Sequence, residues 1–250
     1  MKAIILAAGE GKRLRPLTAD TPKSLVSIWG ESLLVRQLQQ LKTFGLTDIS
    51  VVTGYCKENI EILGVDTVVN EEYDSTNMVF SLSKMLSRLR QCFEEHTLIL
   101  YGDIAYSNAH LATLIDSDSH SKMVVLGNTN WLELWSQRLE DPLTDAETFQ
   151  FDEKYQLQDI GKEPDSIEQV QAQYMGMIKV KTQFLTTVLA DYLKKCDGAA
   201  SKNMYMTDLI QQVADNHNVK VELVAGSWIE MDTIDDYNLY ASKQPADFGL

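Results

Sequence analysis

The chain has 250 residues, 44% of them hydrophobic, and a formal net charge of -14. That length allows one large α/β domain, or a domain and a half, around a packed core. No apolar run approaches the ~20 residues of a membrane span, and the net charge argues against nucleic-acid backbones and anionic membranes as partners.

The amino terminus reads as a strand rather than a charged-then-apolar leader, which predicts a cytoplasmic protein. Cys56, Cys92 and Cys196 are scattered without metal spacing and fit a reducing compartment. Oligomeric state is not legible in these residues.

The first element is an apolar strand, Ala3 to Leu6. It runs into Ala7, Ala8, Gly9 and Gly11, then a basic cluster, with Pro22-Lys23 beyond. Small residues at the end of a buried strand let the backbone approach an anion, and successive N–H groups can cradle a polyphosphate. The first 23 residues carry Lys2, Lys12, Arg13, Arg15 and Lys23 against only Glu10 and Asp20, a local positive field inside an acidic chain. Two better-known phosphate loops are excluded by spacing. There is no Gly-x-x-x-x-Gly-Lys-Ser/Thr, and the dinucleotide pattern begun by Gly9 and Gly11 meets Leu14 and then Pro16.

A helix is predicted from Leu33 to Phe44, with Leu34, Leu38 and Leu41 on one face and Gly45 as its stop. Strands follow at Ile49–Thr53 and Thr67–Asn70. Thr76 or Asn77 can cap a helix running from about Met78 to Leu89. Thr97–Tyr101 is the next strand, ending at Gly102-Asp103. Alternation of strand and helix with nearly continuous apolar strands predicts a single doubly wound, mostly parallel, Rossmann-like α/β sheet with its site at the strands' carboxyl ends. After the strand Met123–Leu126, the stretch from Asn128 to Glu168 turns polar and acidic and carries Trp131 and Trp135, with strand-like pieces at Thr148–Phe151 and Gln156–Ile160. Core patterning returns with Tyr174–Val180, a helix from Thr182 to Lys195, another from Thr207 to Asn216, and the strand Val219–Val224. The middle thus reads as an insertion folded over one domain.

Two aspartates stand out by position. Asp103 follows an apolar strand and a glycine. Asp232 closes Trp228-Ile-Glu-Met-Asp232, with Glu230 on the same face. Carboxylates at sheet edges suit Mg²⁺, which takes hard oxygen ligands beside phosphates. They also serve as turn and cap residues.

Leu6-Ala7-Ala8-Gly9, Gly11, Arg13-Leu14 and Pro22-Lys23-x-Leu25 together resemble the entry motif of the sugar-phosphate nucleotidyltransferases, the nucleotide pyrophosphorylases. The resemblance spans essentially the whole chain, with a nucleotide-binding half implied at residues 1–127 and an acceptor-binding insertion with closing elements at 128–250. It implies that Leu6, Ala8, Gly9, Gly11 and Arg13 hold a nucleoside triphosphate. Lys23 would meet the charge at the α-phosphate, and Asp103 with Asp232 would bind Mg²⁺. The Asn70 to Leu82 stretch lacks the Gly-rich segment of UTP and dTTP users. It is similar to the CTP-using, choline-phosphate and phosphoglutamine cytidylyltransferase-like branch, with Asn77 and Ser81 as readers of cytosine. Lys162 resembles the family's acceptor-phosphate lysine, although Glu163 separates it from Pro164. Trp131, Arg138 and Tyr174 fall in segments similar to the same branch. The acidic, tryptophan-bearing segment from Trp131 to Glu147 is expected to close over an amine-bearing phosphorylated acceptor, while Arg138 would pair with its carboxylates or bind a carboxylate on an amino-acid acceptor such as phosphoglutamine. The implied partners are therefore CTP and that acceptor, with transfer of CMP and release of pyrophosphate for bacterial surface or capsular polysaccharide. A UTP- or dTTP-dependent sugar-1-phosphate enzyme and a non-catalytic nucleotide sensor are the alternatives.

Overall fold

The computed structural model describes residues 1–196 and 198–250. Strand β1 (Lys2–Ala7) is buried along its whole length. After the glycine loop come a short hairpin of β2 (Ser27–Ile28) and β3 (Glu31–Ser32), and helix α1 (Leu33–Thr43), which is capped by the Ser32 hydroxyl. Next are β4 (Ile49–Thr53), α2 (Lys57–Glu61) and β5 (Asp66–Val69).

The predicted helix from 78 to 89 is in fact two, α3 (Met78–Ser83) and α4 (Leu86–Leu89). Between them the ladder tightens to i→i+3 bonds, Lys84 N to Ser81 O and Met85 N to Leu82 O. The Ser83 hydroxyl donates back to Phe80 O at 2.6 Å, the kind of local competition that bends a helix.

Strand β6 (His96–Tyr101), β7 (Ile104–Tyr106), α5 (Asn108–Asp116) and β8 (Met123–Asn128) follow. The acidic middle folds as α6 (Trp131–Arg138), then the antiparallel pair β9 (Phe149–Phe151) and β10 (Leu157–Ile160). The chain closes with β11 (Gln173–Lys181), α7 (Thr182–Lys195), α8 (Ala199–Lys202), α9 (Met206–Ala214), β12 (Val219–Val224), β13 (Trp228–Glu230) and α10 (Ile234–Ala241).

The main sheet has seven strands in the order β12-β8-β11-β6-β1-β4-β5. Only β11 runs antiparallel to its neighbours, so the sheet is the mostly parallel, doubly wound one that the pattern predicts. Side-chain alternation along β1 divides the core: Ile4 and Leu6 face α3, α4, α7 and α9, while Ala3, Ile5 and Ala7 face α1, α5 and α6.

Strand β13 does not join this sheet. It pairs antiparallel with β7, with Glu230 opposite Ile104, and Met231 N donates to Asp103 O at 3.1 Å. That small ribbon carries residues 103 and 232, far apart in sequence, to one place at the carboxyl edge of β6.

Candidate active site

Gly102 and Gly11 build the floor. Gly102 N donates to Leu6 O at 2.9 Å, and a Cβ on residue 102 would stand 2.8 Å from that oxygen. A glycine there lets the end of β6 close on the end of β1, and Asp103 follows at once. Gly11 has φ +70°, a conformation that favours glycine, and an added Cβ would lie 2.8 Å from the Lys23 Cβ. The loop and the Lys23 backbone can therefore lie side by side.

Lys23 is the hub. Its ammonium bonds to Asp103 Oδ2 at 2.6 Å and also to Asp232 Oδ1. Arg13 Nη2 stands 3.5 Å from the same Asp232 oxygen. Burial works to lower the Lys23 pKa, but the two carboxylates outweigh it and hold the ammonium above its usual range. Asp232 answers in kind: burial pushes it up, and Lys23, Arg13 and Arg138 bring it below the usual carboxylate value. Asp103, Glu230 and Asp232 each offer an oxygen within 4.8 Å of the others. Burial, then the charges of Asp232 and Asp103, raise Glu230 well above the usual carboxylate range. Among the described residues, Asp103 Oδ1 is buried without a hydrogen-bond partner. Three converging hard-oxygen donors with one unspent buried oxygen fit a divalent cation.

One cleft brings together Leu6, Ala8, Gly9, Gly11, Arg13, Lys23, Asn77, Ser81, Asp103 and Asp232. Tyr73, Thr76 and Met78 line it too and were not anticipated. The buried Asn70 ties two lining residues together: its amide donates to Thr76 Oγ1 at 2.9 Å and to Ser81 Oγ at 3.0 Å. Asn77 caps α3, its side chain accepting from Met78 N at 2.8 Å, and its own N–H donates to Lys202 O at 2.9 Å. Its capping role and its place in the cleft coexist.

The expected acceptor residues are not gathered in that cleft. Trp131 is 4% exposed and donates its indole N–H to Val170 O at 3.1 Å, so it is a core residue and offers no open ring to a ligand. Trp135 is equally buried and stacks on Trp228 with ring centroids 5.0 Å apart. The reading of this segment as an aromatic cover over an amine is therefore corrected: the apolar face of α6 packs into the core. Arg138 is also enclosed, held by Asp236 in a two-bond fork at 2.8 and 3.2 Å, and so is not free for an acceptor carboxylate. Tyr174 is buried edge-to-face against Tyr101. Lys162 is exposed on the β10 side and paired with Asp159, outside the cleft lining. The carboxylate that ends the tryptophan-bearing segment, Glu147, is the one whose surroundings stand out. Burial, followed by the charges of Asp208 and Asp145, pushes Glu147 up to about 7.

A fold of this order with a glycine loop, Lys23 and paired aspartates at the sheet's carboxyl edge defines a nucleotidyltransferase. Residues 3–160 match the MobA-like NTP transferase domain, and the chain belongs to that family. It is 34% identical to the CTP:phosphoglutamine cytidylyltransferase of Campylobacter jejuni subsp. jejuni serotype O:2, over 97% of this chain and 100% of that protein. Over a shorter stretch, 33% of this chain and 38% of the other, it is 46% identical to the choline-phosphate cytidylyltransferase of Streptococcus pneumoniae. Among solved structures, the CTP:phosphocholine cytidylyltransferase of Streptococcus pneumoniae shares the fold with a TM-score of 0.72 at 24% identity, covering 96% of this chain and 97% of that one.

Proposed function

We propose that this nucleotidyltransferase is a Mg²⁺-dependent cytidylyltransferase, moving CMP from CTP to a small amine-bearing phosphorylated acceptor and releasing pyrophosphate. The observation that carries the proposal is the convergence of the glycine loop, Arg13, Lys23, Asp103 and Asp232 with the polar start of α3 around one cleft.

An acceptor phosphate is already ionised near neutral pH, so its oxygen attacks the α-phosphorus of CTP without a protein nucleophile. The chain's task is positioning and charge neutralisation. Backbone N–H groups from Gly9 to Gly11, with Arg13, hold the triphosphate. Lys23 meets the charge that grows at the α-phosphate as pyrophosphate departs. Asp103 and Asp232, with Glu230 beside them, would hold Mg²⁺. A cation held by these carboxylates would supply charge neutralisation at the phosphate oxygens.

The preference for cytosine rests on the relatives' named activities and on Asn77 and Ser81, whose amide and hydroxyl dipoles suit an amino donor and a carbonyl acceptor. The amine rests on the acceptors in the relatives' printed names, phosphoglutamine and choline phosphate. Lys162, with its ammonium exposed, is proposed for the acceptor's phosphate. The CDP-linked product would be made in the cytoplasm and serve modification of a bacterial surface or capsular polysaccharide.

Pyrophosphate release tests this reading. CTP, UTP, dTTP and ATP would each be crossed with phosphocholine, phosphoethanolamine, 2-aminoethylphosphonate, phosphoglutamine and sugar 1-phosphates. Turnover confined to CTP and an amine-bearing phosphate supports it. Turnover with UTP or dTTP and a neutral sugar 1-phosphate replaces it with the alternative.

A further inference from the structure

Helix α6 grips the segment that presents Asp232 at two points. The first is apolar: Trp135 stacks on Trp228, the residue that opens β13 on the way to Asp232. The second is Arg138, the last residue of α6, whose side chain is 3% exposed and whose guanidinium lies 4.5 Å over the Trp135 ring. Arg138 Nε donates to Asp236 Oδ1 at 2.8 Å, and Nη2 donates to Asp236 Oδ2 at 3.2 Å.

Asp236 Oδ2 also accepts from Asp232 N at 3.0 Å and Thr233 N at 2.9 Å. One buried carboxylate therefore ties the guanidinium to the backbone of Asp232. Nη2 lies 3.8 Å from Asp232 Oδ2 as well, while Asp232 Oδ1 faces Lys23 and Arg13 in the cleft. The two oxygens of Asp232 are thus sorted, one toward the cleft and one toward α6.

We propose that Arg138, acting with Asp236, is a positioning residue that fixes the orientation of Asp232, and that α6 is the element that delivers it. This rests on the reading of Asp232 as a metal ligand. A second possibility makes the opposite prediction. A guanidinium acting only as a nearby positive charge would repel a divalent cation, so its removal would tighten metal binding. Removal of a residue that orients a ligand loosens it, typically by 10- to 100-fold for the groups behind a metal site. Arg138→Lys separates the two, since lysine keeps the charge and loses the planar fork.

The test measures Mn²⁺ binding to the nucleotide-free protein by electron paramagnetic resonance, beside kcat and the KM for CTP. The variants are Arg138→Lys, Asp236→Asn and their combination, with Asp103→Asn as reference and folding checked by circular dichroism. The expected result is about 10-fold weaker Mn²⁺ binding and a kcat about 10- to 100-fold lower in each single variant. The KM for CTP should move less than about threefold, and the double variant should be little worse than either single one. A folded Arg138→Lys protein with unchanged Mn²⁺ affinity and kcat and only a lower melting temperature would make Arg138 a structural ion pair and overturn the proposal. Tighter Mn²⁺ binding in any of these variants would overturn it as well. If Asp103→Asn also leaves Mn²⁺ binding intact, the metal reading itself falls and takes this inference with it.

Discussion

At the scale of single residues, Lys23 and its two aspartates bear the heaviest chemical demand. Asp103→Asn or Asp232→Asn keeps the side-chain shape and removes one of the two negative charges facing the Lys23 ammonium. Each is predicted to lower kcat by about 10²-fold or more while leaving the far-ultraviolet circular dichroism unchanged. Full activity in either folded variant across a Mg²⁺ titration would end the metal assignment. Lys23→Ala should lose kcat by about 10²-fold or more, the ~3–4 kcal/mol typical of a preorganised donor, with a much smaller change in CTP affinity. Weaker CTP binding with kcat intact would make Lys23 a contact shared by ground and transition states.

Glu147 gives a pH prediction of fixed sign. Its folded value, raised from 4.5 to about 7, means the folded state binds this proton more tightly than the unfolded chain does. The associated stability is complete below about pH 4.5 and is lost as pH rises through about 7. Glu147→Gln should therefore stabilise the protein at pH 8, on the order of 1–3 kcal/mol, and do little at pH 5. Urea unfolding at the two pH values checks it.

At the scale of elements, the contrast between the glycine loop and α6 explains what was legible. The loop could be read because backbone approach leaves a compositional mark: Gly11 and Gly102 stand where a Cβ would strike Lys23 or the Leu6 carbonyl oxygen. The apolar strands could be read because burial on both faces leaves them continuous. Trp131 and Trp135 could not be placed, since four residues apart on a short acidic helix suits a core stripe and a ligand cover alike. Asp236 had a readable signal that went unused, the Thr233-x-x-Asp236 capping pattern at the start of α10. The short β7 and its pairing with β13 carried almost no pattern. Three residues are too few for a period, yet they bring Glu230 and Asp232 to Asp103.

The same helix yields a stability prediction. The Trp131 indole N–H is bonded to Val170 O, whereas the Trp135 indole N–H is buried without a partner among the described residues. Phenylalanine at 131 forfeits a hydrogen bond and leaves a buried carbonyl unsatisfied; at 135 it relieves an unpaired donor. Trp131→Phe should therefore cost about 1 kcal/mol more than Trp135→Phe. Equal or reversed costs in urea unfolding would contradict the assigned contacts.

At the scale of the whole molecule, charge and site are separable. The chain carries a net -14, yet its cleft gathers Lys12, Arg13 and Lys23 where the triphosphate would lie. Acidity elsewhere keeps the surface solvated and does not oppose an anionic substrate drawn to that local field. The architecture divides the labour. One sheet edge, from β1 to β6, supplies the glycine loop and Asp103, while the β7–β13 ribbon and α6 bring and hold Asp232 from the far end of the chain. The measurement that tests this account most directly follows phosphorus. The protein would be incubated with Mg²⁺, an amine-bearing phosphorylated acceptor and CTP labelled at either the α- or the γ-position. The account predicts that α-label enters the acceptor product and γ-label leaves as pyrophosphate, both slowed about 10²-fold or more by Asp103→Asn. CTP binding without transfer of α-label to any acceptor of the panel would contradict it and make the chain a nucleotide sensor.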